Sequence, residues 1–158
     1  MGVNTAAGAR IYIGSEDADD SIDTQGEYES EVWTEIGEVE DMGEFGDAWN
    51  TTTFTSLQDS RVRRFKTTKD AGEQNLVIGF SQGDAGQEAL VAALASKFNH
   101  TIRVTLDDAS SGSPSSPTTF YFRAMVTSNR RTVGTNDNIV RRNVTLAINS
   151  DIIEVAAV

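Results

Sequence analysis

Cysteine is absent from this 158-residue chain, which excludes disulfides, thiolate metal centres and Cys–His nucleophilic sites. Histidine occurs once, at His100. A Ser–His–Asp triad has that one choice of base, no nucleophile-elbow motif accompanies it, and His100 reads as structural. Gly37, Gly43 and Gly46 lack the spacing of a phosphate cradle, and no Walker-type Gly-Lys-Ser or Gly-Lys-Thr occurs. Asp17-Ala-Asp19-Asp20 starts like a calcium loop and then fails, with Ile22 where the turn glycine belongs and Tyr28 where the bidentate Glu belongs. No cofactor or metal is expected. No apolar run approaches the roughly 20 residues of a membrane span, and the first ten residues lack the pattern of a secretory signal. The expectation is a cytoplasmically made, non-enzymatic protein that does not bind membranes, and the Asn-x-Thr triplets at Asn50, Asn99 and Asn143 are chance matches.

Lys and Arg are missing where acid is concentrated. From Glu16 to Asp47 there are fourteen acidic residues and no base, whereas Ala48 to Val158 holds ten acidic and twelve basic residues. The net charge of −11 argues against an outer surface that wraps nucleic acid by counterion release. A block of like charge is commonly a solvated tail. This one also holds Ile22, Tyr28, Val32, Trp33, Ile36, Val39, Met42 and Phe45, too apolar a set for a purely solvating segment.

With 38% hydrophobic residues, one domain of this length can bury roughly 68–70% of its unfolded surface, and residues 1–158 read as a single domain. Period-two alternation dominates. It predicts about seven strands: near 11–13, 32–36, 51–56, 76–80, 102–106, 120–127 and 143–149. Asp84 as N-cap with Gln87 as a capping-box partner predicts one amphipathic helix over about 85–98, with Leu90, Val91, Leu94, Ala95 and Phe98 on its apolar stripe. The fold class is mainly β: two packed antiparallel sheets, a β-sandwich or barrel, with one flanking helix. Residues 1–26 read as an N-terminal arm or loop, Asp107–Pro117 as an exposed loop, and 37–72 as a long polar arm.

Ile36-Gly37-Glu38, the acidic glycine-punctuated stretch to Gly46, the Thr-rich strand with Leu57 and Asp59, the basic patch Arg61–Lys69, Asp70-Ala71-Gly72 before a strand, and Asp84-Ala85-Gly86-Gln87 opening a helix form an ordered series. Over residues 30–155 this series resembles the tail tube (major tail) proteins of long-tailed bacteriophages. The resemblance implies two packed β-sheets with a flanking helix, and hexameric rings that stack head-to-tail into a tube for the genome. It also implies other tail proteins at the tube ends, a place in the virion tail, assembly in the host cytoplasm, and kinship of fold with the inner tubes of contractile tails and type VI secretion. Ending at Val158, the chain leaves no room for the immunoglobulin-like decoration domain of some members.

Stacking needs two complementary surfaces on each subunit. The acidic stretch Glu38, Glu40, Asp41, Glu44, Asp47 and the basic stretch Arg61, Arg63, Arg64, Lys66, Lys69 supply opposite charge. Phe45, Trp49, Phe54, Leu57 and Phe65 are the expected apolar anchors of a ring-stacking arm. The alternative is that both stretches pair within one subunit as an ordinary hairpin. DNA enters as transient cargo, for which a lumen lined with carboxylates avoids adhesion. Glu31 and Glu35, on one face of a predicted strand opposite Val32 and Ile36, are the expected lumen residues, although Trp33 shares their face. Arg123, Arg141 and Arg142 are expected to meet acids of a neighbouring subunit. The competing reading is an acidic monomeric β-sandwich that binds carbohydrate or calcium, or another tail-associated accessory protein.

Overall fold

The computed structural model describes residues 2–109, 111–112 and 115–158; Ser110, Ser113 and Pro114 of the sequence-predicted 107–117 loop lie outside the described residues. The chain runs β1 (Arg10–Asp17), α1 (Gln25–Glu29), β2 (Thr34–Ile36), β3 (Val39–Asp41), β4 (Ala48–Thr55), β5 (Val62–Asp70) and β6 (Glu73–Gly79). It continues through α2 (Ala85–Ala95), β7 (Asn99–Thr105), β8 (Thr119–Thr132), β9 (Arg141–Ile148) and β10 (Ile153–Val155). Eight strands form one antiparallel sheet in the order β2-β1-β7-β8-β9-β6-β3, with β10 beside β8, while β4 and β5 pair only with each other.

The larger sheet makes two layers because two stretches of chain pass from one layer to the other. Residues 119–124 of the fourteen-residue β8 pair with β7, and residues 124–132 pair with β9 across a register shift between Val126 and Ser128. Gly37 and Glu38 alone join β2, which pairs with β1, to β3, which pairs with β6. Strands that change partners at a bulge or bend are how packed sheets turn corners. The core lies between the halves: Ile11, Ile13, Ile102, Val104 and Phe122 face Leu76, Ile78, Val144 and Leu146, all at most 1% exposed. Each such aliphatic side chain contributes about 1.5–3 kcal/mol by leaving water.

Helix α2 closes this core from β1, β2 and β8. Its buried face is Gly86, Gln87, Leu90 and Ala93. The sequence-predicted stripe is corrected accordingly: Leu90 is buried, but Val91, Leu94 and Phe98 are 39–41% exposed. The helix also stops three residues before the expected end, because Ser96 takes extended backbone as C-cap and the chain is drawn into β7. Asp84 accepts from the Gln87 amide at 3.0 Å as expected of an N-cap. The Gln87 side chain does not return to the cap; it donates to the Gly79 and Gly37 carbonyls at 2.9 and 3.4 Å. Gly86 is required here by close approach, since a Cβ at this position would lie 2.2 Å from the Glu35 carbonyl oxygen.

The short helix α1 is an element beyond the single helix expected. Thr24 and Glu27 cap it reciprocally, and Tyr28, 1% exposed, stacks on Tyr121 with ring centroids 5.5 Å apart. Residues 10–17 are likewise no loose N-terminal arm, because β1 lies between β2 and β7.

Candidate assembly surface

The sequence-predicted arm divides at residue 48. Residues 37–47 belong to the body: Val39 pairs with Ile78, Asp41 with Val77, and the Met42 carbonyl accepts from the Gln74 side chain at 3.0 Å. Phe45 packs on Phe120 and Phe122 at centroid distances of 5.2 and 5.6 Å, so it is an anchor of the subunit's own core and not a free one. The projecting part is the hairpin of β4 and β5, and every residue of these two strands is exposed. An isolated two-stranded hairpin is marginal in water. Lys69 ties it to the body, its ammonium lying 3.2 Å from Asp151 and 3.6 Å from Asp47. These two carboxylates raise the Lys69 pKa, Asp151 chiefly.

Register gives the hairpin two unlike faces. Phe54 is opposite Arg63 and Thr52 opposite Phe65, which places both phenylalanines on one face. Trp49 lies on the other, with the Lys66 and Lys69 ammonium groups 5.3 and 5.9 Å from its ring. Arg63 bonds Asp59 at 2.8 Å, and Leu57 at the tip is fully exposed. Arg61 and Arg64 have no carboxylate partner among the described residues. At the hairpin's base, Glu44, Asp47, Asp70 and Glu73 line an open cleft of about 510 Å³. The acidic and basic stretches therefore do not form one hairpin: acid lines the body edge and the arm's base, and base occupies β5.

The remaining expected site residues lie on the body. Glu40 bonds Arg141 at 2.5 Å, and Glu38 sits exposed at the β2–β3 corner with φ +59°. Glu31 precedes β2 and accepts from the Ser15 amide at 3.1 Å, while Glu35 lies 3.6 Å from Arg10. Both carboxylates are on the face of the β1–β7 half away from the core, Glu31 beside Gly14 and Thr101 and Glu35 opposite Tyr12. Val32 is not their buried counterpart, being 86% exposed. Trp33 fits that face because the Arg103 guanidinium sits between rings, 4.0 Å from Tyr12 and 5.1 Å from Trp33.

Two of the three arginines expected to meet a neighbour find acids at home. Arg123 lies 3.0 Å from Asp20 and 3.6 Å from Asp17, and Arg141 holds Glu40. Arg142 is 7% exposed and has no carboxylate among the described residues; it donates to Gln87 at 3.1 Å and stacks on Phe80 at 4.7 Å. Burial, and secondarily the neighbouring Arg131, lower its pKa from the ordinary guanidinium value. Arg130 and Arg131 share this end of β8 and also lack carboxylate partners among the described residues. Sequence reasoning missed the apolar surfaces outside the arm: Val91 and Leu94 along α2 with Phe98 just past its end, and Phe80, Val133 and Ile139 beside the arginines. The α2 signal was present but was assigned to the core.

A two-layer antiparallel body with a fully exposed hairpin and charge segregated along the chain defines a structural subunit with surface to share. The chain belongs to the phage tail tube protein (TTP) family, which it matches over residues 27–157. Among solved structures, its fold is similar to a chain of an extracellular contractile injection system, the PVC sheath/tube terminator in the extended state. The two share 11% identity with a TM-score of 0.69, and 99% of each chain is covered. It is also similar to the SPP1 tail tube, with 12% identity, a TM-score of 0.63, and coverage of 94% of this chain and 76% of that one. A chain of the anti-feeding prophage baseplate gives 10% identity and a TM-score of 0.69, with 99% and 98% covered. No curated protein matches the sequence. The role is that of a structural component of the tail tube, located in the virion tail.

Proposed function

We propose that this chain assembles in the host cytoplasm into hexameric rings stacked head-to-tail, forming a conduit for genome delivery with other tail proteins at its ends. The observation that carries the reading is the β4–β5 hairpin, exposed on both faces and held to the body at its base. Trp49, Phe54, Leu57 and Phe65 are its apolar contacts, and Arg61, Arg63, Arg64, Lys66 and Lys69 set register against acid on the next ring. Glu38, Asp41 and Glu44 are the acids along the body edge offered to that contact, whereas Glu40 and Asp47 are held by Arg141 and Lys69 of their own subunit. Glu31 and Glu35 face the lumen, where carboxylates discourage phosphate adhesion, with Arg10 offsetting part of the charge.

The test is electron microscopy of the purified chain beside R63E/R64E. Wild type should give stacked rings with six-fold symmetry, and the variant should remain a folded subunit by circular dichroism without stacking. Tubes that form normally from R63E/R64E refute the arm. A strictly monomeric wild type at all concentrations refutes the assembly and favours a monomeric accessory role. A ring map that puts Glu31 and Glu35 on the outer wall refutes the lumen assignment.

A further inference from the structure

We infer that the surface receiving the arm is the exposed apolar stripe of α2 on a second copy of this chain; the inference rests on the stacking role proposed above. Among the described residues and apart from the arm, two clusters of large apolar side chains stand exposed: Val91 and Leu94 on α2 with Phe98 just past its end, and Phe80, Val133 and Ile139 at the far end of β8 and β9. The hairpin face with Phe54 and Phe65 needs an apolar counterpart, because leaving both rings in water forfeits much of the 150–250 Å² that each aromatic can bury.

Charge decides between the two clusters. The phenylalanine face and tip carry Arg63, which Asp59 neutralises, and Arg61, which has no carboxylate partner among the described residues; Arg64, opposite Thr53, lies on the other face. The β8–β9 end presents Arg130 and Arg131 and holds the buried Arg142, none with a carboxylate partner among the described residues, whereas its Glu40 is already committed to Arg141. The unneutralised Arg61 and these arginines repel. Along α2, by contrast, Glu88 lies one turn before Val91, and Glu16 accepts from Ser96 beside the last turn. Lys97, the cation of that surface, is turned onto the Phe98 ring at 5.5 Å. An apolar stripe flanked by carboxylates thus matches an apolar face flanked by guanidiniums.

Spacing agrees. Val91 and Leu94 are three residues apart on α2, a side-chain separation of about 5–6 Å, with Phe98 three residues past the end of the helix, while the diagonal Phe54–Phe65 pair spans about 7–8 Å. The arm leaves the body just before Glu73 at the start of β6, and α2 is fastened to the far end of β6 through Gln87 and the Gly79 carbonyl. Seven residues of strand, about 20 Å, separate donor from receiver, the arrangement a head-to-tail contact between copies requires.

The absence of native cysteine makes the test direct. F65C/L94C should assemble and, under mild oxidation, run as a disulfide ladder on a denaturing gel, because each copy offers one thiol forward and one back. An equimolar mixture of F65C and L94C should give dimers only. F65C/V133C should give no ladder; a ladder from this pair and none from F65C/L94C overturns the inference. Independently, V91Q/L94Q should fold normally and slow tube growth at least about tenfold. Growth at the wild-type rate overturns the inference, whether or not the cysteine variants assemble. If wild type itself never forms tubes, the stacking reading fails, which is distinct from tubes that form with α2 free.

Discussion

Replacing Gly86 by alanine sets two opposing terms against each other. Helix propensity favours the change by less than the about 1 kcal/mol that glycine costs relative to alanine in a helix interior, because Gly86 is the second residue of α2. Geometry opposes it. The added Cβ would lie 2.2 Å from the Glu35 carbonyl oxygen, 2.5 Å from the Ile36 Cα and 2.7 Å from the Glu35 carbonyl carbon, all of them backbone. A tolerable C···O approach is about 3.3 Å, so α2 and β2 must part by about 1 Å. No rotamer can relieve a contact between main chains. That shift lifts Leu90 and Ala93, both 0% exposed, off the core. Overpacking of this kind typically costs about 1–3 kcal/mol and sometimes more. Because both sides of this contact are rigid, G86A should be destabilised by a net ~2–3 kcal/mol in urea titration, with Tm about 5–10 °C lower. Gly26 in α1 is the matched control, since nothing lies within 4 Å of a Cβ there. G26A should be neutral or stabilised by a few tenths of a kcal/mol up to ~1. A G86A variant as stable as wild type would refute the claim that α2 and β2 meet backbone to backbone.

Asp84 caps α2 and also accepts from the Gly37 amide at 3.2 Å, so D84A orphans donors at two elements and should cost ~2–3 kcal/mol in the same titration. R142M should leave stability unchanged or raise it by ~1–3 kcal/mol, because it removes a buried guanidinium that has no carboxylate while Gln87 keeps the Ser81 amide at 3.2 Å; a loss above ~2 kcal/mol would contradict this. Burial raises the Tyr28 and Tyr121 pKa values above the ordinary 10.0. A raised folded-state value means that their stabilisation is complete below pH 10 and is lost as pH climbs through the folded-state values. Melting temperature should therefore fall above about pH 10, and less steeply in Y28F, as differential scanning fluorimetry can measure.

The strands that alternate between core and water were legible in the sequence, because burying one face imposes a period of two on Ile11–Ile13, Leu76–Phe80, Ile102–Leu106 and Val144–Ile148. Three strands were not. β3 and β10 are three residues each, too short for any period to register, and β5 has no buried face to write a pattern on. Helix α1 was announced by Thr24-x-x-Glu27, a capping box hidden inside an acid block that drew attention to charge. The arm was recognised as a polar excursion, but its boundary depended on Phe45, whose contacts with Phe120 and Phe122 link positions about 75 residues apart. On α2, eight of eleven residues are apolar and could not all face inward. Only tertiary packing shows that the close approach at Gly86 turns Leu90 and Ala93 to the core and leaves Val91 and Leu94 outside.

The two corners of the body, at β8 and at Gly37-Glu38, have a mechanical meaning. If a load pulls the layers apart, it is carried at two places by continuous covalent backbone, and no ladder of hydrogen bonds can be unzipped there one rung at a time. Layers stitched together in this way share tension and fail together. Bending or stretching a column built of such bodies should be absorbed at the contacts between them, while each body keeps its shape.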